Sequence, residues 1–353
     1  MTIAEARTQQ PSGSEAPYLA PSNLVRRVSG ETATWIFALD ILLVTFLSIF
    51  TANHDFWSIA SFQNIASDSA EGIVLAVGMA LLLGSGEFDI SLGANLLLAS
   101  VLGGMVAAAV AGPNGSDLWP AGLLAALVCV LSGAGVGLVN GLVVTRLRVN
   151  SLIATLAMLG IATGVADILT GGTDLSDIPQ GLQYDFGIKL VVGIPLPALI
   201  ALVVWLVAWV GVATTRYGMR LLAMGSSRDA AVRAGLHVER QLTSTFVVVG
   251  GLAGLCGLFD LTRFATTNLS GHQTDALAAL TAAVIGGTSL FGGHISMPGV
   301  LAGALLAIIL QDGLIILGLS AFYQLVAIGV VLIVAVFIDQ RRRPRSDTVF
   351  RRR

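Results

Sequence analysis

The chain has 353 residues, of which 55% are hydrophobic and only 11% are charged. Soluble globular proteins carry roughly 25% charged residues, so a chain with so few has too little polar surface to fold in water. The formal net charge of −2 and the lack of a basic stripe interleaved with aromatics give no indication of a nucleic-acid partner. The composition therefore predicts an integral membrane protein with lipid as its outer solvent.

Ten apolar runs predict an all-α, polytopic membrane bundle of about ten transmembrane helices. Most of the runs are near the roughly 20 residues that a helix needs to cross the hydrocarbon core. The eighth run is short and is interrupted by glycine. The runs lie near residues 33–52, 69–86, 90–112, 119–145, 151–170, 193–213, 241–262, 276–291, 297–318 and 321–339.

Two polar tails are predicted to flank these runs. Residues 1–32 are rich in proline and serine, which is typical of a disordered segment. Residues 341–353 are rich in arginine and predict a basic C-terminal tail. The chain is therefore divided into an N-terminal tail, a transmembrane domain over 33–340 and a C-terminal tail.

Arginine placement sets the predicted orientation, because cytoplasmic loops of membrane proteins carry an excess of basic residues. A start inside the cell followed by ten crossings puts every arginine-rich flank on the cytoplasmic side. The opposite loop over 171–192 is poor in arginine and carries three aspartates. Ten spans with both termini in the cytoplasm are thus self-consistent, whereas nine or eleven are not. The flanking arginines are Arg26, Arg27, Arg146, Arg148, Arg216, Arg220, Arg228, Arg233, Arg240, Arg341, Arg342, Arg343 and Arg345.

The sequence lacks three common motifs of enzymes and nucleotide-binding proteins. It contains no GxxxxGK[ST] phosphate loop, no GxSxG elbow and no HExxH zinc motif. Cys129 and Cys256 lie alone within apolar runs, and the four histidines are scattered, so neither a disulfide nor a metal site is predicted. We therefore expect no catalytic residue and no cofactor or metal bound by this chain.

Glycine is abundant inside the predicted spans. The clearest groups are in the fourth and seventh runs, where glycines recur at spacings of three and four residues. In lipid, such small residues allow helix backbones to approach closely, so these glycines are predicted to be helix contacts. They are Gly133, Gly135, Gly137, Gly141, Gly250, Gly251, Gly254 and Gly257.

Two glycine-rich breaks interrupt the apolar pattern. The first, over 84–93, reads GSGEFDISLG, and the second, over 285–293, reads IGGTSLFGG. A broken helix at membrane depth is tolerated only where protein or a water-filled cavity satisfies its backbone. Asp89 and Ser91 either cap the following helix or contact a permeating solute. By the arginine count both breaks lie on the same side of the membrane, and they show a weak likeness to each other.

Several other polar residues fall within the apolar runs. Asp260 and Arg263 are three residues apart and can pair on one helix face. Each of these residues has two possible roles, a structural hydrogen bond or ion pair and a contact with the solute. The set comprises Asp40, Asn140, Asp167, Asp260, Arg263, Gln311 and Asp312.

The loop over 214–240 differs from the other loops. A short helix from Arg228 to Ala234 is predicted, with Ser226 or Ser227 as its N-cap and Gly235 as its end. Such a capped helix, charged on one side and rich in alanine on the other, either docks a soluble partner or belongs to an ordinary basic loop.

Four segments in this order resemble the permease subunits of bacterial ATP-binding cassette (ABC) importers for monosaccharides, the ribose, xylose and galactose type. Residues 86–93 are similar to that family's GGIDLSVG signature, and residues 282–290 (AAVIGGTSL) are similar to AAVVIGGTSL. The stretch from Asn140 through residues 169–172 (LTGG) resembles NGLL…VTLG…LTGG, and residues 223–236 resemble AIGGN…AA…SGI. The likeness spans roughly 33–340.

Three departures from the family's pattern bear on the substrate and leave the class unchanged. Glu87 stands at the second glycine of the signature, and Ser227 stands where asparagine is usual. Ala276 and Ala278 occupy places where an ELDAIAA stretch has two acids.

The resemblance implies a type II-like importer permease in the bacterial inner membrane, working as a pair of identical or similar copies. It implies a cytoplasmic ATPase, which uses the ATP, docked on the loop over 214–240. It also implies a periplasmic or lipid-anchored binding protein that delivers the solute. The residues expected at the ATPase are Gly225, Ser227, Arg228, Ala230, Ala231 and Gly235, and those expected along the pathway are Glu87, Asp89, Ser91, Asn140 and Gln311.

Three other interpretations remain open at this point. The same architecture could serve nucleosides or branched-chain amino acids, although those relatives lack a clear DLS signature, which residues 89–91 (DIS) resemble. An ion-coupled secondary transporter would need no docking loop and would show an ion-binding acid cluster within the spans. An intramembrane enzyme is disfavoured because no nucleophile or metal constellation is present.

Overall fold

The computed structural model describes residues 31–50, 56–111 and 118–318, together with 323, 326, 329 and 330. Residues 1–30 of the predicted N-terminal tail, the C-terminal tail and most of the tenth predicted span lie outside the described residues. Most of the described chain is helical, as expected from its apolar runs.

Five long helices come first: α1 Glu31–Phe50, α2 Ile59–Gly84, α3 Leu92–Ala111, α4 Leu118–Thr145 and α5 Ser151–Thr170. A short irregular region follows, with α6 Gln180–Leu182, a π-helical turn Gln183–Gly187 and an antiparallel hairpin of β1 Leu190–Val191 and β2 Ile194–Pro195. The second half contains α7 Leu196–Thr214, α8 Arg216–Ser226, α9 Arg228–Arg233, α10 Val238–Phe264, α11 Asp275–Ile285 and α12 Met297–Ile316.

Within the described residues, seven helices are long and apolar enough to cross a membrane. Two shorter apolar helices, Ala33–Ile49 and Asp275–Ile285, coincide with the first and eighth predicted spans. The predicted all-α polytopic membrane bundle is therefore confirmed. The count of ten spans and the cytoplasmic position of both termini stay predictions.

Burial separates inner from outer helices. The membrane windows of α2, α3 and α10 are 67%, 67% and 61% buried, whereas those of α4, α5 and α7 are 28%, 28% and 22% buried. The helix α2 packs against α7, α10, α11 and α12, so it forms the centre of one half of the bundle. Large apolar side chains on α4, α5 and α7 point outward, as expected of surfaces that face lipid or another chain.

The most extensive helix contact in the described chain is that of α4 with α10, and its glycines explain the contact. A Cβ added at Gly133 would press on the Gly250 carbonyl oxygen and lie 2.8 Å from the Gly254 Cα. A Cβ added at Gly250 would meet the Gly137 Cα at 2.8 Å. The predicted role of these glycines as helix contacts is confirmed, with one exception. Gly135 has open space around its Cβ position within the described residues.

The helix α10 begins beside α9 and runs for 27 residues, or about 40 Å, to Phe264. Its last turn therefore lies at the end of the bundle opposite to α8 and α9, which we call the outer end. The region over 171–195 packs there on the chain that follows α10. Asp174 Oδ1 accepts the Leu269 amide at 2.8 Å, and Thr267 Oγ1 accepts the Leu175 amide at 2.9 Å.

The loop over 214–240 folds into two helices rather than one. Thr215 caps α8 through a hydrogen bond from the Gly218 amide, a helix start that the sequence prediction omitted. Ser227, one of the two predicted caps, caps α9 by accepting from the Ala230 amide. The chain leaves α9 through Gly235, whose φ of 78° is readily adopted only by glycine.

Candidate functional site

The two glycine-rich breaks end their helices in the same way. After α2 the Gly86 and Glu87 amides donate to the Leu83 and Leu82 carbonyls. After α11 the corresponding amides at positions 287 and 288 donate to the carbonyls at 284 and 283. Gly86 and Gly287 have φ values of 85° and 88°. The two bonds at each end form a Schellman motif, which gives the weak sequence likeness a structural basis.

Both breaks meet at Gly225 on α8. The Gly293 amide donates to the Gly84 carbonyl at 3.0 Å, so the two breaks are hydrogen-bonded to each other. A Cβ at Gly225 would press on the Gly84 carbonyl oxygen and lie 2.6 Å from the Gly293 nitrogen. The prediction that the breaks share one side of the membrane agrees with this contact. A shift of α8 would therefore be transmitted directly to α2 and α11.

A salt bridge links the first break to α9. Arg228 Nη1 lies 3.2 Å from Glu87 Oε1, and the two side chains are 50% and 16% exposed. They stand at the rim of a cavity of about 250 Å³. Because the pair is partly exposed, its contribution to stability is small, on the order of 0.2–1 kcal/mol. Its geometry matters more, since it ties the charged end of α9 to the end of α2.

The residues expected at the ATPase fall into two groups. Ser227, Arg228, Ala230 and Gly235 are exposed on α9 and at its two ends. Ala231 is buried and packs with Met224, Val238 and Leu236. Gly225 faces the two breaks, as described above.

Asp89, Ser91 and Asn140 form a buried polar network between α2, α3 and α4. Each of the three residues is at most 1% exposed. Asp89 Oδ1 accepts from the Ser91 amide at 2.7 Å and from the Ser91 hydroxyl. Asn140 Nδ2 donates to Asp89 Oδ2 at 3.1 Å and to Ser91 Oγ at 3.0 Å. Three residues that the sequence separates by up to 51 positions are thus joined.

This network surrounds the first turn of α3. The Ser91 carbonyl accepts the Asn95 amide at 2.8 Å, so Ser91 occupies the position of the helix cap. Asp89 accepts a backbone amide in a tight turn just before the helix. Burial raises the pKa of Asp89, against the hydrogen bonds from Ser91 and Asn140, which favour the ionised form. The contacts within the chain occupy both carboxylate oxygens.

An ionic network at the outer end was missed in the sequence. Arg263 on α10 pairs with Asp68 on α2 at 2.8 Å. The expected pairing of Arg263 with Asp260 is wrong among the described contacts, because Asp260 instead lies 3.5 Å from His272 Nε2. Arg263 pairs with Asp68 rather than with Asp260, because the packing of α2 brings the Asp68 carboxylate within hydrogen-bond distance of the guanidinium.

His272 is the centre of the second part of this network. Its Nδ1 lies 2.7 Å from Asp275 Oδ2 and 3.7 Å from Glu71 Oε1. Burial alone lowers the pKa of His272, but the surrounding carboxyl groups of Asp260, Asp275 and Glu71 outweigh burial and raise the pKa to about 12. Oxygen and nitrogen atoms of Glu71, His272 and Asp275 lie within 4.8 Å of one another and are the described residues that could hold a metal ion. In the structure the His272 ring lies beside the carboxyl groups of Glu71 and Asp275.

The second predicted span begins at Ile59 rather than near residue 69, and this difference explains why the network was missed. Five of the first ten residues of α2 are polar, so this segment fell outside the predicted apolar run. Asp68 and Glu71 are three residues apart and therefore share one helix face. That spacing is the sequence signal that could have indicated them.

Gln311 lies with this outer group. It lines a cavity of about 170 Å³ together with Asp68, Glu71 and Asp275. Two further polar candidates lie elsewhere. Asp167 is exposed on α5, and Asp40 on α1 is buried with no hydrogen-bond partner among the described residues.

Sequence comparison identifies the family. Residues 61–336 match the family described as the permease component of the branched-chain amino acid transport system. Among curated proteins, the ribose import permease of Escherichia coli is 32% identical over 90% of this chain and 98% of that protein. No solved structure matches the chain.

Two further relatives are similar over most of their length. The L-arabinose ABC transporter permease of Azospirillum brasilense is 32% identical over 86% of each chain. The fructose import permease of Bifidobacterium longum is 29% identical over 89% of each chain.

Proposed function

We propose a sugar-import function for this chain, which belongs to the family of the branched-chain amino acid transport system permease components. The chain is a multi-pass protein of the inner membrane and a transport subunit rather than an enzyme. The resemblance to monosaccharide importer permeases is confirmed. The observation that carries the proposal is 32% identity to a ribose import permease over 90% of this chain and 98% of that relative.

Sugar is favoured over branched-chain amino acids as the transported solute. The family description names amino acids, but the three relatives above are named for ribose, L-arabinose and fructose. An ion-coupled secondary transporter is disfavoured by membership in a family whose relatives are ABC importer permeases. Within sugars, the solute that the binding protein delivers decides the specificity.

A cytoplasmic ATPase and a solute-binding protein are the general partners of such a permease. For this chain we place the ATPase on the exposed face of α9, at Ser227, Arg228, Ala230 and Gly235. Gly225 and Ala231 lie on the inward side of α8 and α9. There they allow α8 to pack on the two breaks and α9 to pack on the start of α10. A second permease copy or a similar chain would cover the exposed faces of outer helices.

The junction at Gly225 offers a route for coupling. ATP-driven motion of the ATPase moves α9, and the Glu87–Arg228 salt bridge and the Gly225 contact pass that motion to α2 and α11. Both helices end at this junction and reach the outer end of the bundle. The two conformations needed for alternating access would thus be biased by the ATPase from one side.

The pathway residues divide by depth. Glu87 lies at the cytoplasmic junction, Asp89, Ser91 and Asn140 hold the end of α3, and Gln311 borders the outer cavities. We assign the first four to shaping the pathway. Gln311 is the pathway residue placed to contact solute.

Affinity purification of the tagged chain in mild detergent, followed by mass spectrometry, tests this proposal. A stoichiometric ATPase with its own phosphate-binding loop is expected to co-purify. Arg228→Glu should reduce that yield, whereas Arg148→Glu, a reversal on another predicted cytoplasmic loop, should not. A chain that purifies without any ATPase and moves solute on an ion gradient would contradict the proposal.

A further inference from the structure

A cavity of about 370 Å³ lies between α8 and the first turns of α10. Tyr217 forms one wall: its hydroxyl oxygen lies 2.9 Å from Thr245 Oγ1, and its carbonyl accepts from Gln241 Nε2 at 3.4 Å. These contacts hold α8 on α10 and fix the shape of the cavity. Its volume falls within the range of roughly 300–1,000 Å³ that is usual for sites of small molecules. Of the residues assigned above to the ATPase, Gly235 alone belongs to the lining.

The lining of this cavity is basic. The described residues that line it include Arg220, His237 and Arg240, all exposed, and no carboxyl group. Neither arginine forms a salt bridge within the described part of the chain. Glu239 adjoins Arg240 in the sequence but is not part of the lining. Two guanidinium groups without a carboxylate partner suit a phosphate group, because the planar donors of arginine match the spacing of phosphate oxygens.

The depth of the cavity indicates a lipid rather than a soluble phosphate compound. The helix α10 has 27 residues and is about 40 Å long, which exceeds the roughly 30 Å of the hydrocarbon core. Shared between the two ends, the excess of about 10 Å places its first turn, with Arg240 and Gln241, at the level of the lipid headgroups. The helix α7 has 19 residues and ends at Thr214, so Tyr217 lies just past the same boundary. Basic pockets at this depth on the cytoplasmic side bind anionic headgroups.

The same cavity faces outward from the bundle. On α10 its lining includes His237, Gln241 and Ser244, which follow one helix face at spacings of four and three residues. Four residues further along this face lies Val248, which is 47% exposed. An exposed apolar residue on the hydrocarbon side of a basic cavity leaves room for an acyl chain next to its headgroup.

We propose that this cavity binds the phosphate group of an anionic phospholipid from the leaflet on the predicted cytoplasmic side. Arg220 and Arg240 donate to the phosphate oxygens, and an acyl chain lies along the α10 face that contains Val248. Zwitterionic lipids bind more weakly, because their cationic headgroup meets the two guanidinium groups. The inference goes beyond the proposed function and does not depend on the transported solute.

Native mass spectrometry of the full chain in detergent tests this site. The probes are phosphatidylglycerol and phosphatidylcholine with identical acyl chains. Phosphatidylglycerol should bind about five-fold or more tightly than phosphatidylcholine, because each basic residue beside an anionic headgroup contributes about that factor. The variant with Arg220→Gln and Arg240→Gln should lose this preference and keep its affinity for phosphatidylcholine. The variant with Arg220→Lys and Arg240→Lys keeps both charges and should retain most of the preference.

A second pair of arginines provides the matched control. Arg146 and Arg148 follow α4 on the same predicted side, are exposed and lie outside the cavity. The variant with Arg146→Gln and Arg148→Gln should therefore keep the preference of the natural chain. Equal affinity of the natural chain for the two lipids would overturn the inference. An equal loss of preference in the two glutamine variants would also overturn it, by showing a general attraction of basic loops for anionic lipid.

Two further experiments separate the lipid from other occupants of the cavity. Glycerol 3-phosphate at millimolar concentration should leave phosphatidylglycerol bound to the chain. Displacement of the lipid would assign the cavity to a soluble phosphate compound and contradict the proposal. The chain in complex with its co-purified ATPase should show the same preference and the same loss on replacement of Arg220 and Arg240. Disappearance of the preference in that complex would show that the ATPase covers the cavity, and the lipid assignment would be wrong.

Discussion

Replacement of Asp89 by alanine tests whether the first break is held by a polar network. Asp89 accepts hydrogen bonds from the Ser91 amide, the Ser91 hydroxyl and Asn140 Nδ2. In Asp89→Ala the Ser91 hydroxyl can rotate toward another acceptor, but the amide and one Asn140 N–H lose their partner. Each buried unsatisfied donor costs about 1–3 kcal/mol, so the sum is about 2–6 kcal/mol. Relief from burying the carboxyl group returns part of this cost, which leaves about 1–4 kcal/mol.

Thermal unfolding of the detergent-solubilised chain measures this loss through the decay of its size-exclusion peak. Asp167→Ala is the matched control, because it makes the same substitution at an exposed position of α5. Surface substitutions of this kind stay within about 0.5 kcal/mol. Asp89→Asn should also destabilise the chain, since its amide places a second N–H donor opposite Asn140.

A role for Asp89 in solute contact alone would give a different pattern. Asp89→Ala would then unfold at the temperature of the natural chain, and the assembled importer would show a raised KM for uptake with unchanged protein yield. That combination would refute the assignment of Asp89 to holding the start of α3.

Three further outcomes follow from the contacts. Gly133→Ala should lower the free energy of unfolding by about 1–3 kcal/mol, because the added methyl group forces α4 away from α10. Gly135→Ala, two residues away in open space, should raise it by up to about 1 kcal/mol. Equal unfolding temperatures of the two variants would contradict the packing. Gly225→Ala should cost about 1–3 kcal/mol and lower coupled ATPase activity. Arg228→Glu should change the free energy of unfolding by no more than about 1 kcal/mol but reduce solute-stimulated ATP hydrolysis. Adding Glu87→Arg should restore part of the stimulation. Unchanged stimulation in Arg228→Glu would show that the salt bridge has no role in coupling.

The fold class was predictable because it depends on long apolar runs. The ends of helices that begin with polar residues were less predictable. The sequence pattern began the second span near residue 69, while α2 begins at Ile59, because its first ten residues are too polar for a hydropathy argument. The cap of α9 by Ser227 was predictable, since cap residues act locally.

The candidate site was predictable only in pieces. Asp89, Ser91 and Asn140 could be named as buried polar residues, but their mutual contact depends on how α4 packs on α3. The pairing of Arg263 with Asp68 joins residues 195 positions apart, so spacing along one helix gave the wrong partner. The role of Gly225 as the meeting point of both breaks likewise depends on tertiary contacts.

ATP-driven sugar uptake in proteoliposomes tests the central claim most directly. The vesicles hold this chain with its ATPase, enclose ATP, and receive the binding protein loaded with labelled sugar from outside. The proposed function predicts uptake that requires all three proteins and ATP hydrolysis, and that falls in Arg228→Glu. Uptake by this chain alone, driven by an ion gradient and indifferent to ATP, would contradict it.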